Sequence, residues 1–180
     1  AEYQDIFPVW DWQRLPGITC EYSDEPLAPG SATKGERSFV GGVSDGQFGM
    51  AAMDFARSRL SARKTWFFFD NEVVCLGAGI VCPGGLAVVT SVNQCLRKGA
   101  ALFCCDGTRQ VIERGERRFK GPAWVHHDGV GYVFPERGQL ALKCGVETGC
   151  WQRINLEKPA DEIKQEVFSL WLEHGNKPAD

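Results

Sequence analysis

No apolar run in this sequence reaches the roughly 18 residues that a membrane-spanning helix needs. The longest candidate, Val73 to Val92, is broken by Gly77, Gly79, Pro83, Gly84 and Gly85. Charge of one sign is not in excess either. A net charge of −3 leaves no electrostatic footprint for nucleic acid or an acidic membrane surface, and neither is expected as a partner. The eight cysteines form no Cys-x-x-Cys pair, and no histidine stands at zinc-finger spacing from them. No metal site and no cofactor are therefore expected. Internal repeats and low-complexity tracts are missing too. The chain opens without an initiator methionine or a signal-peptide pattern, and both ends are expected to be cuts within a longer protein.

What remains is ordinary in bulk and distinctive in pattern. With 180 residues, 43% hydrophobic and 24% charged, the chain can bury one sizeable core. Twenty-one glycines and nine prolines cut it into short runs rich in β-branched and aromatic residues. Asp-Gly between apolar runs marks hairpins at Asp45-Gly46 and Asp106-Gly107. Ala62 to Phe69 and Glu72 to Ile80 are expected to pair as neighbouring strands, and Leu86 to Leu96 and Gly129 to Phe134 add others. Nine to eleven short strands and no convincing amphipathic helix predict an all-β sandwich. Trp66 to Phe69 reads as core, and Arg114, Arg117, Arg118 and Lys120 as a solvated turn. Tyr22 to Glu36, with its two prolines, reads as a surface loop.

Two features stay open on the residues themselves. Asp161 to Glu173 has Ile163, Val167, Leu170 and Trp171 at helical spacing, yet Phe168, Leu170 and Leu172 alternate as in a strand. Cys75, Cys95 and Cys104 lie in strand-like contexts, where a free thiol behaves as a small hydrophobe. Most thiols are expected to be free and buried; a disulfide would most naturally join Cys144 to Cys150.

The chemistry-bearing stretch is the first: Glu2-Tyr3-Gln4-Asp5-Ile6-Phe7-Pro8-Val9-Trp10-Asp11-Trp12, followed by Leu15-Pro16-Gly17. Two acids, a tyrosine and two tryptophans beside a rigid proline suit a groove that grips sugar rings and orders a charge. Further blocks follow in order: Phe39-Val40-Gly41-Gly42-Val43-Ser44-Asp45-Gly46, Ala52-Met53-Asp54-Phe55, and Ala62-Arg63-Lys64 leading to Trp66-Phe67-Phe68-Phe69-Asp70. Val74-Cys75-Leu76-Gly77-Ala78-Gly79-Ile80, Val92-Asn93-Gln94-Cys95, His127-Asp128-Gly129-Val130-Gly131-Tyr132 and His174-Gly175 complete the series. In order and spacing the series resembles the central β-domain of polysaccharide lyase family 8, the chondroitin, hyaluronate and xanthan lyases.

The resemblance implies a large antiparallel β-sandwich of several stacked sheets, with residues 1–180 as one truncated central domain. It favours a strand over about Glu166 to Glu173. It also implies cleavage of uronic-acid-containing polysaccharides by β-elimination, with an acidic polysaccharide as partner and a secreted or periplasmic location. The catalytic tyrosine, histidine, arginine and asparagine would lie on a helical domain N-terminal to this one. By motif position, Glu2 would orient the arginine and tyrosine of that domain. Asp5 stands where relatives carry asparagine, so its substrate contact is an open expectation beside a structural role. Trp10 and Trp12, read as alternate positions of a strand, are candidates to stack on sugar rings or to be core. His126 and His127 read as turn residues with satisfied hydrogen bonds. The rival reading is a noncatalytic carbohydrate-binding or scaffold β-module.

Overall fold

The computed structural model describes residues 2–25, 27–28 and 34–179. The loop expected over Tyr22 to Glu36 therefore lies partly outside the described residues. A short helix, α1 (Glu2–Ile6), runs into a 3-10 turn, Phe7–Val9. The strands follow as β1 (Thr19–Glu21), β2 (Val40–Ser44), β3 (Gly49–Arg57), β4 (Leu60–Phe68), β5 (Val73–Val81), β6 (Ala87–Leu96) and β7 (Ala101–Cys105). Then come β8 (Thr108–Ile112), β9 (Gly115–Lys120), β10 (Ala123–His127), β11 (Val130–Phe134), β12 (Gln139–Gly149) and β13 (Ile163–Asn176). The all-β class expected from the turn pattern is what the chain adopts.

The chain divides into two compact units. The first, residues 1–31 and 89–174, holds two sheets, ordered β1-β6-β13-β12-β9 and β11-β10-β7-β8. Ala101, Phe103, Ile112, Val125, Leu140, Leu142, Phe168 and Leu170 come from both sheets and close over one core. On β13, Phe168 and Leu170 enter that core, while Val167 and Trp171 pack into separate clusters on the opposite face. A strand buried on both faces carries apolar residues at every position. That double burial is why its period was ambiguous. It is a strand, longer at both ends than the expected Glu166 to Glu173.

The second unit, residues 32–88 and 175–180, is the meander β2-β3-β4-β5. Asp45 turns its first hairpin, its Oδ1 accepting from the Gln47 and Phe48 amides at 2.9 and 2.7 Å. The expected β4–β5 pairing is present, with a register shift between Ser61 and Arg63 opposite Gly79, whose φ is +59°. Leu60, Cys82 and Val88 form its small core, with Phe55 and Ile80 against them.

Three expectations need correction. Phe68 and Phe69 are exposed rather than core, because their sheet has an uncovered face there. Arg117, Arg118 and Lys120 lie on β9, not in a turn; charges on the last strand of a sheet discourage further pairing. All eight thiols are free as expected, Cys144 and Cys150 included. Yet just Cys82 and Cys144 are buried and Cys75 is exposed, since β5 carries it on an open sheet.

Candidate functional site

The N-terminal segment lies along the last half of β6. Arg97 N–H donates to the Glu166 carbonyl at 2.8 Å, on the side of β13. Neighbouring amides of a strand point to opposite edges, so Leu96 N–H points the other way. There β1 has already left: Thr19 sits beside Thr90, at the start of β6. The open edge is filled by the N-terminal segment instead. Glu2 Oε1 accepts from Leu96 N–H at 3.0 Å, and the Trp10 indole donates to the Gln94 carbonyl at 3.3 Å.

Burial seats the segment. Ile6 and Val9 are buried against Val167, flanked by Phe7, Trp10, Leu96 and Ile163. Glu2 precedes Ile6 by one helical turn and so shares its face, which brings its carboxylate to the sheet edge. A Cβ at Gly149, the end of β12, would overlap the Pro8 carbonyl, so this approach needs glycine. Gln94, nearly fully buried, clamps the chain beyond: its Oε1 accepts from Asp11 N–H at 2.9 Å, and its Nε2 donates to the Asp11 and Arg14 carbonyls at 3.1 and 3.2 Å. Arg14 lies between the Tyr22 and Trp171 rings at 4.0 and 4.2 Å and pairs with Asp11 at 2.9 Å.

Trp10 and Trp12 do not alternate on a strand, because Pro8 fixes the start of a 3-10 turn and Trp10 is its extended C-cap. Their rings join an aromatic cluster. Phe7 stacks on Trp10 at 5.2 Å, Trp12 meets Trp10 edge-on at 5.5 Å, and Tyr3 caps Trp10 at 5.8 Å. The Trp12 indole is satisfied by the Phe7 carbonyl at 3.3 Å. Tyr3, 65% exposed, is the face this cluster turns to solvent. Asp5 is exposed and its side chain makes no hydrogen bond or ion pair among the described residues.

Beneath the β6 edge lies a polar network. His127, 1% exposed, stacks parallel on Phe168 at 4.3 Å. Its Nε2 accepts from Lys98 N–H at 3.2 Å, which leaves the proton on Nδ1, 3.8 Å from Cys95 Sγ. Asn93 Nδ2 donates to Tyr132 Oη at 2.6 Å and reaches Cys95 Sγ at 3.7 Å. Desolvation, chiefly, lowers the His127 pKa and pushes Cys95 up to about 11, so both are neutral near pH 7. The Lys98 ammonium pairs with Asp128 at 2.9 Å. That hydrogen bond first, the Asp128 charge next and then the Glu2 carboxylate raise its pKa. His127 is thus satisfied as expected, but within strand β10 rather than in a turn.

Sequence reasoning brought Glu2, Asp5, Trp10 and Trp12 into one segment, and they are together. It missed Gln94, Lys98 and the contacts His127 makes. Gln94 follows Asn93 on a strand that also carries Thr90 and Ser91, so the sequence does not single it out as a buried clamp. Nothing in the sequence marks the Leu96 amide.

The super-sandwich domain of polysaccharide lyase family 8 matches residues 1–180. The chain is 40% identical over 182 residues to a chondroitinase-AC of Pedobacter heparinus, covering 98% of this chain and 25% of that protein. It is 36% identical to a hyaluronate lyase of Thermasporomyces composti, covering 99% and 24%, and 34% identical to a xanthan lyase of a Bacillus species, covering 99% and 20%. A chondroitinase AC lyase solved in complexes with oligosaccharides superposes with a TM-score of 0.89 at 40% identity, covering 99% of this chain and 27% of that one. A Paenibacillus xanthan lyase superposes at 0.83 with 27% identity, covering 99% and 18%. The chain thus spans about a quarter or less of these relatives. It belongs to polysaccharide lyase family 8, as that family's super-sandwich domain.

Proposed function

We propose that this chain is the β-sandwich part of a lyase that cleaves uronic-acid-containing polysaccharides by β-elimination, and that Glu2 works in its active site from the β side. In that reaction a base removes the C5 proton, the electron pair moves into the C4–C5 bond, and the C4–O bond breaks to leave an unsaturated uronate. The uronate carboxylate must be neutralised as the enolate develops, which calls for cations and donors held in fixed geometry. The observation that carries the reading is the placing of Glu2. One oxygen is tied to a backbone amide of a rigid sheet, and the other has no partner among the described residues. A carboxylate held in this way can orient an arginine or a phenol arriving from another domain.

The base and cations of the reaction would come from a helical domain preceding this one, a reading supported by relatives about four times as long. Asp5 and the Tyr3 end of the aromatic cluster face outward and would meet the polymer; Trp10 and Trp12 would shape that surface from behind. A polymer substrate of this kind is met outside the cytoplasm, so the whole protein would be secreted or periplasmic. The exposed Tyr3 ring also suits a noncatalytic sugar-binding module, which would bind the polymer without producing unsaturated ends.

The test is Glu2→Gln in the full-length protein, which keeps shape and removes charge. Turnover, followed by the ultraviolet absorbance of unsaturated uronate, should fall at least about a hundredfold with little change in polymer binding. Unchanged turnover would remove Glu2 from the active site.

A further inference from the structure

Glu2 is fixed by an amide near the end of β6, and that end is held in turn. Beyond Leu96 the chain leaves the strand through Arg97, Lys98 and Gly99. Arg97 is tied on one side: its amide donates to the Glu166 carbonyl, its Nε to Glu166 Oε2 at 3.0 Å, and its Nη1 to the Gly99 carbonyl at 2.8 Å. These bonds hold the backbone toward β13, away from Glu2. The next amide, Lys98 N–H, is held by the His127 ring at 3.2 Å, and the Lys98 ammonium by Asp128, one residue further along the same hairpin. His127 itself cannot shift. Its ring is flat against Phe168, at 3° between planes, and its other nitrogen faces Cys95.

We propose that His127 is a positioning residue for Glu2: by holding the Lys98 amide it fixes the end of β6, and with it the Leu96 amide that aims the carboxylate. This rests on the catalytic-site reading of Glu2. His127 touches neither Glu2 nor a substrate, so its effect runs through two backbone amides. Losing it would leave the part-buried Lys98 N–H without this acceptor, and the segment Leu96 to Gly99 would move to find another. A shift of about 1 Å in a group that orders a transition state lowers turnover without weakening ground-state binding.

The experiment is a double-mutant cycle in the full-length protein. His127→Phe keeps the stacking on Phe168 and removes the acceptor. It should lower kcat about tenfold or more and leave KM for the polymer within about twofold. His127→Gln can place its amide oxygen where Nε2 was and should recover most of the rate. In the Glu2→Gln background, His127→Phe should cost almost nothing further, because the group it positions has gone. An equal loss in both backgrounds, or full kcat in His127→Phe, would overturn the proposal and leave Glu2 in its place. Full activity in Glu2→Gln would overturn both. Should His127→Phe not fold, His127→Gln against His127→Asn gives the same answer. Asparagine can reach toward Cys95 but not to the Lys98 amide, so equal rates in those two variants would sink the idea.

Discussion

The two units use the same strands, turns and residue types and differ in what their sheets face. In the first, two sheets close on each other, and Phe168, Leu140, Leu142 and Leu170 are fully buried. In the second, one four-stranded sheet is apolar on both sides. Val43, Met50, Phe67 and Val74 form one register row, and Ser44, Gly49, Phe68 and Val73 the next. Adjacent rows face opposite ways, and in both, several large apolar side chains are exposed: Val43 and Val74 in one, Phe68 and Val73 in the other. A sheet that is apolar on both faces has the composition of an inner layer. Pairing is thus decided locally by turns and alternation, whereas burial is decided by what lies across the sheet.

The largest effect that tests this contrast is on the phenylalanines. Phe168 is 0% exposed and supports the rings of His127 and Tyr132 at 4.3 and 6.0 Å. Truncating it to alanine should cost about 3–5 kcal/mol, from lost transfer energy and the cavity left behind. Phe68→Ala, at 44% exposure, should cost under about 1 kcal/mol. Urea titrations of both variants measure the two costs. Equal losses would mean that the second sheet is covered after all.

Next in size is the clamp under the N-terminal segment. Gln94→Ala leaves Asp11 N–H without an acceptor in a part-buried setting, while the Asp11 and Arg14 carbonyls each lose one of two donors and keep Arg14 N–H and Ser91 Oγ. Each group left without a partner costs about 1–3 kcal/mol, less where water can enter. The loss should be felt first in the segment itself, so the Trp10 and Trp12 fluorescence should shift before the β12–β13 amides lose their protection from exchange. A single concerted transition with unchanged midpoint would show that the clamp contributes nothing.

Most of the strands were legible because their signals are local. Asp45-Gly46, Asp106-Gly107 and Asp128-Gly129 all turn hairpins, with Gly46, Gly107 and Gly129 at positive φ. The N-terminal segment was legible as a site and not as a shape. Glu2, Tyr3, Trp10 and Trp12 were singled out together, but a five-residue helix and a 3-10 turn are too short to imprint a period. The exposure of Phe68 and Phe69 could not be read, because an inner-layer strand and a core strand share one composition. The link from His127 to Glu2 runs through the Lys98 and Leu96 backbone, which has no side-chain signature.

The smallest effect separates the units by pH. All three histidines, His126, His127 and His174, lie in the first unit. His127 is held below its ordinary pKa of 6.5, first by desolvation; the facing Asp128 carboxylate opposes that, and Arg97, His126 and Lys98 add to it. Cys95, also against the ring, stays a neutral thiol because burial raises its pKa. Above about pH 6.5 the ring is neutral whether the chain is folded or unfolded, so its burial has no pH-dependent cost. Below that value the unfolded chain takes up the proton first, and stability falls until the folded pKa is passed. Stability should therefore be full near neutrality and lost on acidification, by an increment that His127→Gln, having nothing to titrate, does not share. Melting of wild type and variant should be compared from about pH 7.5 down to about pH 5, with amide exchange followed separately in β12–β13 and in β3–β4. The wild-type β12–β13 amides should lose protection on acidification relative to the variant, while β3–β4, in a unit with no histidine, behaves alike in both. Parallel pH profiles throughout would mean that the His127 ring accepts its proton as readily in the folded chain as in the unfolded one.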